Sequence, residues 1–260
     1  MARRWNLQEE NFYREELLEL YVRQNMSIRE VGIALCIPEG TVFDRLQRLS
    51  VPTCPERKSN YLRKRSDIHI PHERSRNLAE FFGIMLGDGH VAHYQPLVTL
   101  GTKEYDYVCY VQWLMTTLFG APATINLKKS GYHDVYIGSI ELTRWLSAEG
   151  LVANKVAAQV GVPAWLFDSR EYMQAFLRGF FDTDGSVYKL RFGIRLSFTN
   201  RSIPLLIALQ AMLRRLGYRV SELSVFRIYI TRQDDVERFF VEIQPMNAKH
   251  QDRYRHLTRR

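Results

Sequence analysis

Two short stretches of the chain share one pattern of apolar residues and glycines. Residues 81–89 read FFGIMLGDG and residues 177–185 read LRGFFDTDG. Each is an apolar run of helical character in which a glycine stands five residues before an aspartate that is itself followed by glycine. The two aspartates, Asp88 and Asp184, lie 96 residues apart, which is the length of a small domain. The pattern therefore predicts an internal duplication.

The glycines predict that the two helices pack closely together. A glycine within a helix costs about 1 kcal/mol relative to alanine, so it needs a structural reason. Gly83 with Gly87, and Gly179 with Thr183, place small residues one turn apart, which lets two helix backbones approach. Such packing would bring the two aspartates together at the helix C-termini, where the helix dipole disfavours an anion. A nearby cation would explain that arrangement.

After each motif the apolar pattern alternates in a comparable order. The first copy precedes strands over 91–100, a helix over 105–119, a hairpin over 124–137 and a helix over 141–149. The second copy precedes strands over 187–199, a helix over 203–216, a hairpin over 220–231 and a helix over 236–243. Both halves read helix-ββ-helix-ββ-helix. We therefore predict an α+β fold with two pseudo-symmetric units, residues 77–167 and 168–260.

Residues 1–51 predict a separate helical domain. A helical run ends near residue 24, Ser27 and Glu30 form a capping box for a second helix, and a third helix follows Pro38. This pattern resembles a helix-turn-helix, with Cys36 in the turn where glycine is common. The third helix would offer to a DNA groove Thr41, Phe43, Asp44, Arg45, Gln47 and Arg48. The alternative is a three-helix cap that only packs.

Residues 52–76 predict a basic linker between the helical domain and the duplicated part. They hold three prolines and seven basic residues against three acidic ones. A charged stretch of this kind is usually a solvated connection. Between two DNA-binding modules it would also follow the phosphate backbone, with contacts expected from Lys58, Arg63, Lys64 and Arg65.

Composition and charge narrow the class of protein. The 260 residues include 46% apolar and 12% aromatic side chains, as in globular proteins. Thirty-six basic against 28 acidic residues give a net charge of +8, which favours a polyanionic partner. The three cysteines lack the spacing of a zinc site or a disulfide framework. Without an apolar run of membrane-spanning length, we expect a soluble intracellular protein, in the cytoplasm, the nucleoid or a eukaryotic organelle.

The duplicated motif resembles that of the LAGLIDADG homing endonucleases, in the single-chain form with two copies. Leu86 departs from the family pattern at the position that Asp182 occupies in the second copy, but this is not the metal-binding position of the family. The resemblance implies αββαββα units whose sheets form a saddle over the major groove. It also implies a monomer that cleaves both strands of double-stranded DNA at a specific site, without a membrane partner.

The same resemblance implies DNA contacts from the strands and hairpins of both units. Arg and Lys commonly read guanine, and Asn or Gln adenine. Exposed polar residues on any half-buried sheet would look alike. The expected contacts are His93, Gln95, Lys128, Lys129, Tyr188, Lys189, Arg191, Arg195, Arg227, Tyr229 and Arg232.

The motif aspartates have the chemistry that phosphodiester hydrolysis needs. Divalent metals held by carboxylates activate water, neutralise the phosphate and stabilise the leaving oxygen. Magnesium prefers oxygen ligands and keeps several waters, so one or two aspartates suffice. We expect Asp88 and Asp184 as ligands of Mg²⁺, with the carbonyls of Gly87 and Thr183 as helpers.

The resemblance further implies a basic or polar residue near the metal-bound water in each half. Lys155 lies 67 residues after Asp88, and Lys249 lies 65 residues after Asp184, so the two lysines fit the duplication. Gln159 is a candidate to share or replace the role of Lys155. The alternative for either lysine is a solvated helix end or a phosphate contact.

Three functions compete at this point: a site-specific DNA endonuclease, a non-catalytic DNA-binding regulator of transcription, and an RNA-binding intron maturase. The intact Asp88 and Asp184 favour the endonuclease over the regulator, since a pure binder does not need acids facing phosphates. The predicted helix-turn-helix disfavours the maturase, because it reads duplex DNA rather than the deep, narrow groove of A-form RNA.

Overall fold

A computed structural model describes residues 7–53 and 67–259, and the chain divides into two compact units, residues 1–63 and 64–260. In the first unit, α1 (Leu7–Leu17) continues into a π-helical turn (Leu18–Arg23), followed by α2 (Ile28–Ala34) and α3 (Glu39–Arg48). Leu17, Tyr21, Val31, Val42 and Leu46 form its buried core. The three predicted helices are therefore present, while their role in DNA binding stays a prediction.

The local signals of this helical unit act as the sequence predicts. The Ser27 hydroxyl accepts from the backbone N–H of Glu30 at 3.2 Å, and the Glu30 carboxylate accepts from the N–H of Ser27 at 2.7 Å. This reciprocal pair satisfies two free donors at the start of α2. Cys36 adopts φ +54°, the left-handed conformation that glycine adopts more easily.

The second unit contains both motif copies and one continuous core. The first copy comprises α4 (Arg76–Leu86), β1 (Gly89–Val91), β2 (Pro96–Leu100), α5 (Tyr105–Phe119), β3 (Thr124–Leu127), β4 (His133–Tyr136) and α6 (Ile140–Ala148). A 3₁₀ turn (Ala164–Phe167) leads to α7 (Arg170–Asp184), β5 (Gly185–Leu190), β6 (Gly193–Thr199), α8 (Ile203–Arg215), β7 (Arg227–Ile230), α9 (Gln233–Glu242) and α10 (Ala248–Thr258). The antiparallel sheets have the orders β1-β2-β4-β3 and β5-β6-β7, which confirms the duplicated α+β architecture.

The motif helices α4 and α7 form the centre of this unit. Residues 78–86 and 175–183 are buried on every side. Each helix begins with a serine cap: Ser75 accepts from the N–H of Leu78 at 3.1 Å, and Ser169 accepts from that of Tyr172 at 3.0 Å. A helix that is apolar all round needs partners on all faces, and here each helix contacts the other directly.

The crossing of α4 and α7 depends on the two motif glycines. A Cβ atom at Gly83 would overlap the carbonyl oxygen of Phe176, and one at Gly179 would overlap the carbonyl oxygen of Glu80. The contact is reciprocal, because each glycine meets the residue three positions before the other. A Cβ at Gly87 would overlap the hydroxyl of Thr183. The predicted small-residue face is confirmed.

Two parts of the second repeat differ from the sequence prediction. Residues 220–224 do not form the first strand of a hairpin; they contribute only the isolated bridges Val220–Ile230 and Ser224–Arg227, so the second sheet has three described strands. Helix α10 is not among the predicted elements. Its polar sequence conceals a packing contact, since the rings of Tyr254 and Phe240 stack at 3.9 Å between centroids.

Gly83→Ala and Gly179→Ala should each destabilise the second unit by about 3 kcal/mol or more, since a methyl group at either position forces the helix backbones apart. Gly138→Ala is the matched control, because no heavy atom lies within 4 Å of the point that its Cβ would occupy, and it should change stability by less than about 0.5 kcal/mol. Urea unfolding measures all three. Equal effects at Gly83 and Gly138 would contradict the close crossing.

Candidate active site at the ends of the motif helices

The two motif aspartates meet at one end of the α4–α7 pair. Asp184 is the last residue of α7, and Asp88 follows Gly87 at the C-terminus of α4. Burial and then the charge of Asp88 raise the pKa of Asp184 to about 6, against a hydrogen bond from Asn200 at 3.0 Å. The side chain of Asp88 is accessible to solvent, yet desolvation by surrounding protein raises its pKa too. Two carboxyl groups therefore share a small region in which ionising both is costly.

Lys155 lies across the C-terminus of α4. Its ammonium group donates to the carbonyl oxygens of Met85 at 2.9 Å, Leu86 at 3.2 Å and Gly87. Burial lowers the pKa of Lys155, while the charges of Asp184 and Asp88 oppose that shift. A cation at this end of a helix is favourable, so Lys155 stabilises the same helix terminus that carries Asp88.

The two carbonyls expected to help bind the metal are those of Gly87 and Thr183. The carbonyl of Gly87 already accepts a hydrogen bond from Lys155, so a metal would share that oxygen with an ammonium donor. The hydroxyl of Thr183 turns back onto α7, toward the carbonyls of Gly179 at 3.2 Å and Phe180 at 3.0 Å. A role for the Thr183 carbonyl stays a prediction.

Lys249 reaches the site from the second repeat and pairs with a residue that the sequence analysis missed. Its ammonium lies 2.6 Å from Oε1 of Glu104. The same oxygen accepts from the side chain of Asn247 at 3.0 Å, and Oε2 of Glu104 accepts from the N–H of Gly101 at 2.9 Å. Burial opposes ionisation of Glu104, but the bonds from Lys249 and Asn247 outweigh it and lower the pKa.

Glu104 lies beside the first aspartate and Asn200 beside the second. Asn200 donates to Asp184, and the charge of Glu104 raises the pKa of Asp88. Each stands 16 residues after the motif aspartate of its repeat, but the β5–β6 hairpin is longer than the β1–β2 hairpin, so the sheet registers do not make the two positions equivalent. An anion therefore lies beside one aspartate and a neutral amide beside the other.

Asp182 holds the segment that presents Lys249. Its buried carboxylate accepts the backbone N–H groups of Met246 at 2.9 Å and Asn247 at 3.0 Å, and the side chain of Asn247 donates to its carbonyl at 3.1 Å. Burial raises the pKa of Asp182 to about 8 despite those hydrogen bonds. The two motif copies therefore differ in function at this position: Asp182 anchors residues 246–247, and Leu86 in the first copy has no carboxylate to do so.

Gln159 connects the inter-repeat loop to the start of α8. Its amide nitrogen donates to the carbonyls of Val156 at 2.8 Å and Arg201 at 3.2 Å, and its amide oxygen accepts from the N–H of Ile203 at 3.1 Å. Both ends of the amide are therefore engaged within the protein. A share in the role of Lys155 stays a prediction.

The predicted DNA contacts of the second sheet form one continuous surface. Tyr188 and Arg195 are cross-strand partners on β5 and β6, and the guanidinium of Arg195 lies over the rings of Tyr188 at 5.9 Å and Tyr229 at 4.8 Å. Arg227 is on the same face two residues before Tyr229. Lys189 pairs with Ile194, so strand alternation places its exposed side chain on the opposite face from Tyr188, and its contact with DNA stays a prediction.

The remaining predicted contacts lie at hairpins and loops. His93 and Gln95 are in the β1–β2 connection, Lys128 and Lys129 in the β3–β4 turn, Arg191 between β5 and β6, and Arg232 directly before α9. Lys128 pairs with the buried Asp134 at 2.8 Å. Part of its charge is therefore already balanced within the first repeat.

On α3, Gln47 is exposed and Thr41 is half-buried. The guanidinium of Arg45 lies 4.9 Å from the centre of the Tyr13 ring, and Arg48 pairs with Glu10 at 2.9 Å. These two arginines thus bind α1 as well as facing outward. Lys58, Arg63, Lys64 and Arg65 lie outside the described residues.

Within residues 7–53 and 67–259 no group of three or more His, Cys, Asp or Glu side chains is arranged to hold a metal. Over the same residues, none of the helices has the length and apolarity needed to cross a bilayer.

Comparison with known proteins identifies the fold. Residues 171–244, which include α7 and Asp184, match the family model of the LAGLIDADG-like domain. Residues 171–244 form a LAGLIDADG-like domain. A stretch of 116 residues is also 29% identical to part of the replication factor C small subunit of Methanocaldococcus jannaschii, over 44% of this chain but only 6% of that protein.

Two solved structures are similar to this chain. The N-terminal LAGLIDADG domain of WhiA is 21% identical, with 67% of this chain and 86% of that one covered and a TM-score of 0.46. I-DmoI in complex with DNA and Ca is 18% identical, with 64% and 87% covered and a TM-score of 0.45. These likenesses are weak, so the fold assignment rests on the family match and the duplicated topology.

Asp184→Asn should stabilise the metal-free protein at pH 8 and have little effect at pH 4. Because the folded-state pKa of about 6 lies above the ordinary 3.8, folding favours the protonated acid, and that stability is lost as the pH rises through 6. Removing the ionised group should recover up to about 3 kcal/mol. Thermal unfolding at both pH values measures this. The exposed Asp168→Asn is the control, and equal gains at both pH values would contradict the assignment.

Proposed function

We propose that this protein is a site-specific DNA endonuclease that makes metal-dependent double-strand breaks. The observation that carries the proposal is the pair Asp88 and Asp184, held side by side at the C-termini of α4 and α7 with raised pKa values. Paired, partly desolvated acids cost stability, and a cost of this kind is typical of functional sites. A divalent cation would offset it.

The donor set fits magnesium. Two carboxylates supply oxygen ligands and negative charge, and Mg²⁺ needs only one or two such groups because it retains waters and binds substrate phosphates. When bound, the metal would neutralise the scissile phosphate and lower the pKa of a coordinated water. Asp88 and Asp184 would hold it, and the charges of both Lys155 and Lys249 act on these two acids.

The lysines supply positive charge around the reacting phosphate. Lys155 and Lys249 both act on the ionisation of Asp88 and Asp184. Their ammonium groups can attract the phosphodiester and stabilise the charge that develops on it. Glu104 orients Lys249 through the 2.6 Å contact. The half-buried Tyr188–Arg195–Tyr229 surface and the basic hairpins would position the duplex, mainly through phosphates and base edges.

The second candidate is a DNA-binding regulator without catalysis. The engagement of the Gly87 carbonyl by Lys155 and of Lys249 by Glu104 favours it, because internal ion pairing can replace the balancing role of a metal. The aspartates favour the endonuclease, since a pure binder does not need the two anions facing DNA. In both cases the N-terminal helices would add a second contact, raising the effective concentration of the site.

Asp88→Asn and Asp184→Asn should each abolish double-strand cleavage and change specific binding by less than about tenfold, because the acids hold metal and do not read bases. The substrate is a duplex selected from a randomised library in the presence of magnesium. Calcium should support binding without cleavage, and magnesium should raise the melting temperature of the wild type but not of the double variant.

Normal cleavage by the double variant would remove the aspartates from the chemistry. Specific binding with no cleavage by the wild type, under any divalent metal, would favour the regulator.

The same selection reports on the N-terminal unit, since removing residues 1–51 should shorten the selected sequence.

The two strands should depend differently on the two lysines. Lys155 caps α4 while Lys249 is tied to Glu104, so the half-sites are not equivalent. Lys155→Met or Lys249→Met should slow cleavage of one strand more than the other and accumulate nicked DNA, with a loss of binding no larger than that of one phosphate contact. Lys103→Met, an exposed neighbour of Glu104, is the control. Equal slowing of both strands, or none, would exclude the lysines from the site.

A further inference from the structure

The tight turn before β7 has an unfavourable backbone for its sequence. Ser224 and Arg227 exchange two backbone hydrogen bonds of 2.9 Å, so Val225 and Phe226 are the two central residues. Their φ values are +38° and +66°, which is the left-handed conformation of a type I′ turn. Asn-Gly is the preferred pair there, and a β-branched residue with positive φ is a genuine outlier.

Both side chains of the turn are also unusually exposed for apolar residues. Val225 is 84% and Phe226 is 41% accessible to solvent. The apolar pair therefore gains little from the core of this unit, while its backbone is strained. Strained conformations that persist in a fold cluster at ligand-contacting sites, so this turn is a candidate contact rather than a packing element.

The surroundings of the turn are those of a polyanion site. With Arg201, Arg227 and Tyr229, the two apolar side chains line a concavity of about 540 Å³. Among the described residues, neither Arg201 nor Arg227 has an acidic partner. Arg227 is exposed and, with the half-buried Tyr229, belongs to the sheet face that also holds Arg195. Basic groups around a small apolar tip match the edge of a DNA groove, where phosphates flank the bases.

The first repeat provides an internal comparison. The counterpart of this turn is the one before β4, which contains Lys129 and Ser130 and in which Gly131 takes the positive φ of +85°. That turn is polar and closes with a hydrogen bond of 2.8 Å from the N–H of Lys128 to the carbonyl of Tyr132. The apolar, strained tip is thus specific to the second repeat.

We infer that Val225 and Phe226 read thymine in the half of the target that the second repeat covers, by apolar contact with the 5-methyl group. This inference rests on the proposed docking of the sheets in the major groove. The methyl group of thymine is the apolar feature of the base edges there, and apolar side chains are the groups that contact it. Arg201 and Arg227 hold the flanking phosphates and thereby fix the depth of the tip.

Deoxyuridine scanning of the library-selected duplex tests the contact without altering the protein. Deoxyuridine pairs as thymine does but lacks the methyl group. At one or two positions in one half-site, single replacement should weaken wild-type binding about fourfold, the value expected for one buried carbon. Val225→Asn combined with Phe226→Gly should bind the thymine duplex less tightly and lose the sensitivity at those positions.

The substitutions provide their own folding control. Asn-Gly is the favoured type I′ pair, so the double variant should melt at or above the wild-type temperature. Lys129→Ala in the equivalent turn is the matched control: it should weaken binding to thymine and deoxyuridine duplexes alike and reduce the salt dependence. Tight binding with no sensitive position, or equal sensitivity of wild type and double variant, would overturn the inference and leave the proposed function intact. Failure to select any duplex would overturn both.

Discussion

The close contact between α4 and α7 determines the rest of the second unit. Because Gly83 and Gly179 lack side chains, the two backbones meet directly, each glycine against a carbonyl of the opposite helix. The reciprocal contact fixes the rotation and the height of one helix relative to the other. The C-termini are then forced to lie together, and with them Asp88 and Asp184. A larger residue at the crossing would separate the aspartates before it disturbed either sheet.

This geometry places like charges where helix dipoles and burial already oppose them. Two carboxylates at two helix C-termini cost free energy, and the raised pKa of Asp184 expresses part of that cost. Lys155 relieves it at α4 by capping three carbonyls. In the second repeat, the Asp182 anchor brings Lys249 to Glu104 instead of to the end of α7. The site is therefore strained and only partly balanced by its own residues.

The sequence predicts the parts of the structure that arise from local pattern. Both motif helices, the α5 boundaries at Tyr105 and Phe119, and the Ser27–Glu30 capping box follow from periodicity and short-range hydrogen bonding. Glu104 escapes such reasoning because its partner Asn247 lies 143 residues away. Helix α10 escapes it because its residues are polar and its packing contacts are distant in sequence, with His250 against Phe181 of α7 and Tyr254 against Phe240 of α9. Residues 220–224 lie beside β7 but form only isolated bridges to it, and alternation alone does not predict whether a continuous ladder of hydrogen bonds forms.

The differences between the repeats are more informative than their shared topology. Leu86 stands where the second motif copy has Asp182. Glu104 lies beside one aspartate and Asn200 beside the other, and the Lys129–Ser130 turn of the first sheet has the Val225–Phe226 turn as its counterpart in the second. The first two pairs surround the aspartates, and the third lies at the exposed end of each sheet. The glycine crossing requires the helices to stay alike, because a change in one must be matched in the other. Positions around it carry no such coupling, so each repeat can adjust its charges and its exposed turn separately. A duplicated chain with one symmetric centre and two unlike peripheries is suited to a target whose two halves differ.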